Sequence, residues 1–200
     1  MPPPNSVEAS KASLRQEMAL RSQALEPGDA LAAGRAVVAA LLARSEWSLA
    51  GRIALFAGLG DEPDTRPVFD AIRHAGKLAF FPRCREDGDL DMVRVGSWGE
   101  LRKGRFGMLE PGEEGVPEPL SGLDLILLPG VAFDPQGRRL GRGGGFYDRA
   151  LTGVGDLGGP KTVGVGFAFR LIERVPAESH DRRVHAILTE RGWTESAVPE

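Results

Sequence analysis

The chain has 200 residues, 42% of them hydrophobic and 26% charged, with a formal net charge of -3. That length supports one sizeable core and excludes large multidomain machinery. Lysines and arginines scattered along a slightly acidic chain form no stripe for a phosphate backbone, so nucleic acid is not an expected partner. The longest aliphatic run, 36–43 (AVVAALLA), is far below the roughly 20 residues of a membrane-spanning helix, and the opening MPPPNS lacks the charged and apolar regions of a secretion signal. The one cysteine, Cys84, cannot form an internal disulfide, which fits a reducing compartment. The expectation is a cytoplasmic monomer of one domain, 1–200, with a flexible start at 1–5 and no membrane partner.

Apolar positions Leu14, Met18 and Leu25 recur at near-helical spacing, and no Gly or Pro interrupts them until Pro27-Gly28, so a first helix is expected over 6–25. An Ala-rich second helix follows from about Asp29, a candidate cap, to Trp47. The two are expected to pack as a pair. After Gly51 short apolar runs alternate with loops marked by Gly and Pro. Segments 52–57 (RIALFA), 77–81 (KLAFF), 123–128 (LDLILL) and 162–167 (TVGVGF) read as buried strands, and 91–95 and 184–188 as weaker ones. A helix over 65–74 sits between the first two strands. Strand, helix, strand in that order predicts a three-layer α/β/α sandwich with a mainly parallel sheet and an N-terminal helical pair. The acidic, Pro- and Gly-rich segment 110–119 reads as a surface loop.

Past the strand LDLILL comes GRGGGFYDR, 141–149, which leads into a helix expected from about Gly144 to Leu151. Ligands of open α/β sheets bind at the carboxyl ends of strands, where such loops lie. Glycines let backbone N–H groups approach a phosphate, and a helix start adds partial positive charge. Two common glycine motifs fail here: the dinucleotide pattern needs glycine where Phe146 stands, and the P-loop needs Gly-Lys-Ser/Thr. Gly159-Pro160-Lys161-Thr162 has proline where the P-loop requires glycine.

The stretch LDLILLPGVAFDPQGRRLGRGGGFYDR resembles the 5-formyltetrahydrofolate cyclo-ligase family. So do Asp61-Glu62-Pro-Asp-Thr65, Lys11-x-x-x-Arg15, Phe106-Gly-Met-Leu-Glu-Pro111, His180-Asp181 and Ile187-Leu-Thr-Glu190, all in the family's order. The resemblance implies a three-layer α/β fold and closure of 5-formyltetrahydrofolate to 5,10-methenyltetrahydrofolate, with ATP as co-substrate and Mg2+ as cofactor. It places Lys11, Arg15 and the loop Gly141, Arg142, Gly143, Gly144, Gly145, Phe146, Tyr147, Asp148 and Arg149 at ATP. It places Ala57 and Glu62 at the folate, with Phe106 in its pocket, and Arg142 and Tyr147 in catalysis; Asp148 and Asp181 become candidate Mg2+ ligands.

The residues bear these roles separately. Lys11 and Arg15, four apart, share one helical face and can converge on one anion, although such a pair alone is more often a solvated face. Asp148 and Asp181 are hard oxygen donors suited to Mg2+ beside phosphate. Glu62 can accept from ring N–H groups, or cap the helix that follows it. Met92, Trp98 and Phe106 suit either a ring pocket or the core. Under this reading ATP phosphorylates the formyl oxygen and N10 attacks the activated carbon, so no protein nucleophile is needed; the chain has one cysteine and no recognisable Ser/His/Asp spacing. Three positions depart from the family pattern: Phe146 replaces a tyrosine, Arg170 a glutamine and His185 an aspartate. The residues leave two other readings open: an ATP-dependent paralogue with another substrate, and a nucleotide- or folate-binding module without catalysis. The cluster Arg102, Lys103 and Arg105 reads as solvent-facing.

Overall fold

The structure is a computed structural model that describes residues 6–26, 28–104, 107–152, 154 and 159–197. Among these, helix α1 (Ser6–Ser22) is followed by α2 (Asp29–Leu42) and a short α3 (Ser45–Leu49). Strand β1 (Arg52–Ala54), helix α4 (Arg66–His74) and strand β2 (Leu78–Cys84) form a parallel crossover. Then come β3 (Leu90–Val95), β4 (Leu101–Lys103), β5 (Leu109–Pro111) and β6 (Pro117–Glu118). Strand β7 (Leu125–Pro129) leads to the hairpin of β8 (Ala132–Phe133) and β9 (Arg139–Leu140), and then to α5 (Phe146–Ala150). Strands β10 (Lys161–Val165), β11 (Ala186–Thr189) and β12 (Gly192–Glu195) complete the chain.

The main sheet runs β12-β11-β10-β7-β1-β2-β3-β6. Its centre, from β11 to β2, is parallel, and both margins are antiparallel. Strand alternation sorts the core. Ile53, Leu55, Phe81, Leu125 and Leu127 pack with Val37 and Leu41 of α2 and Val68, Phe69 and Ile72 of α4. Ala54, Phe80, Ile126, Leu128 and Ile187 face the other way, toward Phe133 and the α5 side. Each fully buried Val, Leu, Ile or Phe among them stabilises the fold by roughly 1.5–3 kcal/mol relative to exposure. Asp124 fixes the entry to the sheet, accepting from the N–H groups of Gly51 (2.7 Å) and Arg52 (2.8 Å).

The mixed α/β class with a mainly parallel sheet agrees with the sequence, and three local expectations do not. The first two helices form but serve different clusters: Met18 of α1 packs with Val131, Ala132, Leu140 and Val175 around the β8–β9 hairpin, whereas α2 covers the sheet beside α4. Helix α2 stops at Leu42, and Gly28 at φ +99° rather than Asp29 occupies its cap position; Asp29 accepts from the Glu26 N–H instead. The segment 110–119 is not wholly a surface loop, since it begins inside β5 with Glu110 buried.

The fold also explains its tightest glycines. The fully buried Phe133 ring lies so close to Gly130, Gly164 and Gly166 that a Cβ at any of them would collide with it or press hard on it. The hairpin ahead of the ring is built by Asp134, wholly buried, whose carboxylate accepts from the N–H groups of Gln136, Arg138 and Val175. No described helix is long and apolar enough to cross a membrane.

Candidate active site

Strand order reverses between β1 and β7: from β1 the chain moves outward through α4 to β2, and from β7 it moves the other way to β10. The carboxyl ends of β1 and β7 therefore flank the crevice where ligands of such sheets bind. From β1 comes the loop 55–62; from β7, by way of the β8–β9 hairpin, comes the stretch 141–149.

That stretch stands between two clefts. One, of about 240 Å3, is lined by Glu8, Lys11, Arg15, Gly143, Arg149, Glu178, His180 and Asp181. The other, of about 320 Å3, is largely apolar, with Phe56, Ala57, Leu59, Pro82, Leu90, Met108, Leu109, Phe146 and Tyr147 in its walls beside Glu62 and Glu110. Gly141, Gly145, Asp148 and Arg139 line both. The loop is thus divided along its length. Gly143 and Arg149 face the charged cleft, and Arg142, Gly144, Phe146 and Tyr147 face the apolar one. Gly143 (φ +110°) and Gly145 (φ +67°) hold the left-handed backbone that this path requires. Helix α5 is only five residues long, so its end adds little dipole; the positive charge at the site comes from side chains instead.

Those side chains are already engaged. Lys11 Nζ, buried, donates to Asp181 Oδ2 (2.7 Å) and Glu178 Oε2 (2.9 Å). Burial disfavours its charge, but Asp181 and then Glu178 outweigh it, so its pKa stands above the usual lysine value. Arg15 Nε donates to the Gly141 carbonyl (3.0 Å), tying α1 to the loop. Arg142 Nη2 reaches across to Asp61 Oδ1 (2.6 Å) and Glu62 Oε1 (3.0 Å), bridging the two strand ends. Desolvation works against its charge, and Glu62 and Asp61 more than restore it. Asp61 is also half-buried, yet Arg142 and Arg170 hold its carboxyl below the ordinary range. Tyr147 stays protonated: desolvation, countered in part by Arg139, pushes its hydroxyl far above the usual phenol pKa, which suits a hydrogen-bond donor and not a base.

Asp148 accepts from Arg139 Nη2 (3.0 Å) and from the Arg182 N–H (3.3 Å), and Asp181 shares its cleft. Among the described residues no group of three or more His, Cys, Asp or Glu side chains is placed to hold a metal ion by itself. Two carboxylates beside cationic side chains fit Mg2+, which is usually held by one or two carboxylates together with phosphate oxygens and water.

Sequence-expected site residues fall as follows. Lys11, Arg15, Asp181 and the whole loop 141–149 line the two clefts, and Ala57 and Glu62 line the apolar one. Phe106 and Arg105 lie outside the described residues. Met92 and Trp98 line neither cleft. Met92 is 1% exposed in the core, and Trp98 packs edge-on against Phe69 and Phe81 under the Arg66 guanidinium. Arg102 turns back onto the Gly99 and Leu101 carbonyls. Of the departures, Phe146 keeps its ring in the apolar wall. Arg170, 1% exposed, is structural, donating to the Gly130 carbonyl (3.0 Å), Ser22 Oγ (3.1 Å) and Asp61 Oδ2 (3.0 Å). His185 lies at the opposite end of the sheet, where Nδ1 accepts from the Thr162 N–H (2.9 Å). Sequence reasoning missed Arg139, Cys84 and Glu110 in the cleft walls. Arg139 stands only two residues before the glycines, but nothing in its letters separates it from Arg138, which turns to Asp134 instead.

The family model described as the 5-formyltetrahydrofolate cyclo-ligase family matches residues 7–190. The chain belongs to this family. A mouse 5-formyltetrahydrofolate cyclo-ligase is 33% identical over 193 residues, covering 92% of this chain and 95% of the relative. The enzyme of that name from Escherichia coli K12 is 33% identical over 175 residues, 84% and 94% of the two chains. Among solved structures, Aquifex aeolicus 5,10-methenyltetrahydrofolate synthetase superposes with a TM-score of 0.81 at 30% identity, over 95% of this chain and 94% of that one. A Mycoplasma pneumoniae structure at 19% identity and a TM-score of 0.71 shares the fold. Family membership thus extends over both clefts and the loop between them.

Proposed function

We propose that this protein closes 5-formyltetrahydrofolate to 5,10-methenyltetrahydrofolate at the expense of ATP, with release of ADP and phosphate. The observation that carries the reading is the pairing of a cationic cleft with an apolar one across a single glycine-rich loop. Two substrates of opposite character can meet there at Arg142, Tyr147 and Asp148. The charged cleft suits a triphosphate, reached by Lys11, Arg15 and the amides near Gly143; the apolar cleft suits flat rings, with Ala57 and Glu62 among its contacts. Asp148 and Asp181 would hold Mg2+, which when bound neutralises phosphate charge.

A formamide oxygen is a poor leaving group. Transfer of the terminal phosphoryl group to that oxygen, with ADP departing, converts it into a good one. N10 then attacks the formyl carbon, the C–O bond breaks, phosphate leaves, and N10 gives up its proton. The protein acts by alignment and charge stabilisation, the usual division of labour in phosphoryl transfer. Arg142 sits on the apolar side with its guanidinium half-exposed, within reach of charge developing on the transferred group, and Tyr147 supplies an O–H donor beside it.

Purified protein mixed with ATP, Mg2+ and 5-formyltetrahydrofolate is expected to develop the ultraviolet absorbance of the methenyl product, one ADP per turnover. Tight folate binding without product would replace the enzyme with a binding module. ATP hydrolysis triggered only by other amides or carboxylates would replace the substrate.

A further inference from the structure

Glu110 is 6% exposed and lines the apolar cleft from β5, opposite the β1 loop that carries Glu62. Its Oε2 accepts from the Cys84 N–H (3.1 Å), whereas Oε1 is buried without a hydrogen-bond partner among the described residues. The carboxylate packs close beside Gly104, where a Cβ would come within 2.6 Å of its Cδ. Leaving a buried acceptor of this kind unsatisfied is destabilising, more so if it is charged, and the cleft beside it is largely apolar. Glu62 differs: Oε1 takes the Arg142 guanidinium and Oε2 the Leu59 N–H (3.0 Å). Asp148, the third carboxylate of this cleft, accepts from Arg139 and the Arg182 N–H, so Glu110 is the one whose oxygen is buried with no hydrogen-bond partner among the described residues.

We propose that Glu110 is the residue that recognises the donor edge of the substrate's ring, the adjacent 2-amino group and N3–H of a 2-amino-4-oxopteridine. The proposal rests on the folate reading and adds to it the side chain that selects this ring. Oε1 accepts one of the two N–H donors, and the second lone pair of Oε2 is available to the other. A ring lacking those donors leaves the carboxylate unpaired, and sites built this way discriminate strongly against analogues missing the group.

The test measures calorimetric binding of 5-formyltetrahydrofolate and its 2-desamino analogue to the wild-type chain and to Glu110→Gln. The amide keeps the shape of the side chain and can still accept the Cys84 N–H. Wild-type protein is expected to prefer the natural compound by at least about 10-fold. Glu110→Gln should lose most of that preference by weakening the natural compound 10- to 100-fold while leaving the analogue unchanged. In turnover the folate KM should rise while the ATP KM and the saturated rate stay close to wild type. Equal wild-type affinity for the two compounds overturns the proposal without any variant, as does a preference that survives intact in Glu110→Gln. Wild-type protein that binds neither compound removes the folate reading and the proposal together, so the two failures are distinguishable.

Discussion

On one side of the glycine-rich loop, Lys11, Arg15, Glu178 and Asp181 gather in a cleft rich in ion pairs; on the other, Phe56, Leu90, Met108 and Phe146 enclose a space whose acidic residues are Glu62, Glu110 and, on the shared wall, Asp148. The loop is a wall shared by both clefts. Charge organises the first cleft, through contacts such as Lys11 with Asp181 at 2.7 Å. Shape organises the second, and under the proposed function its polar groups would orient a ring. A residue's effect should therefore depend on which side it faces, and residues at the junction should affect the chemistry more than either binding step.

Arg142 is the sharpest case. It faces the apolar cleft from the shared loop, and its partners Asp61 and Glu62 belong to the other strand end, so it ties that loop to the end of β1. Arg142→Ala is expected to lower turnover by about 100- to 1,000-fold, the usual cost of removing a donor that stabilises developing charge. Circular dichroism should remain native. Near-normal turnover would mean that the two clefts meet without this side chain and would take it out of the mechanism.

Lys11 tests the charged side alone. Its side chain is 6% exposed between Glu178 and Asp181, so Lys11→Met leaves two carboxylates facing each other where a triphosphate should lie. ATP affinity is expected to fall by roughly 10- to 100-fold, in keeping with the loss of one member of a buried charge-assisted pair. Folate affinity should hold. Glu110→Gln is expected to give the opposite pattern, and a variant at either position that weakened both ligands equally would erase the distinction between the clefts.

The charged cleft was the more legible of the two in the sequence. Lys11 and Arg15 share a helical face by a spacing of four, which alone favours a solvated face and took the family resemblance to point to a site; the loop is marked by its glycines, because backbone freedom is a local property. Buried strands were legible for the same reason: runs such as 123–128 need no knowledge of their neighbours. The apolar cleft draws its walls from the loop after β1, from β2, β3 and β5, and from the glycine-rich loop, segments far apart in the chain, so its members are fixed by sheet order. Cys84 looked like an ordinary packed thiol, and Glu110 like part of an acidic loop, until β5 brought Glu110 against the Cys84 backbone. Met92 and Trp98 went the other way, since large apolar residues carry no mark that separates a pocket from the core. The divergence of α1 and α2 was equally hidden, because it depends on where the β8–β9 hairpin offers Met18 a partner.

His185 lies outside both clefts and gives the smallest effect, one that should register in stability and leave both ligands untouched. Burial, and then Lys161, hold its pKa below 6.5, with Glu195 opposing, while Nδ1 accepts the Thr162 N–H and so requires the neutral ring. The unfolded chain takes up the proton near pH 6.5, whereas the folded chain resists until lower pH. The contribution of His185 is thus complete above about pH 6.5 and is lost as pH falls through the folded value. In His185→Asn the amide oxygen can still accept the Thr162 N–H, but nothing titrates. The wild-type melting temperature should decline more steeply than that of the variant as pH is lowered from 7 toward 5. Affinities for ATP and 5-formyltetrahydrofolate at pH 7.5 should match. Parallel melting curves would show that the buried imidazole is not titrating in this window, and a change in either affinity would tie the far end of the sheet to the clefts.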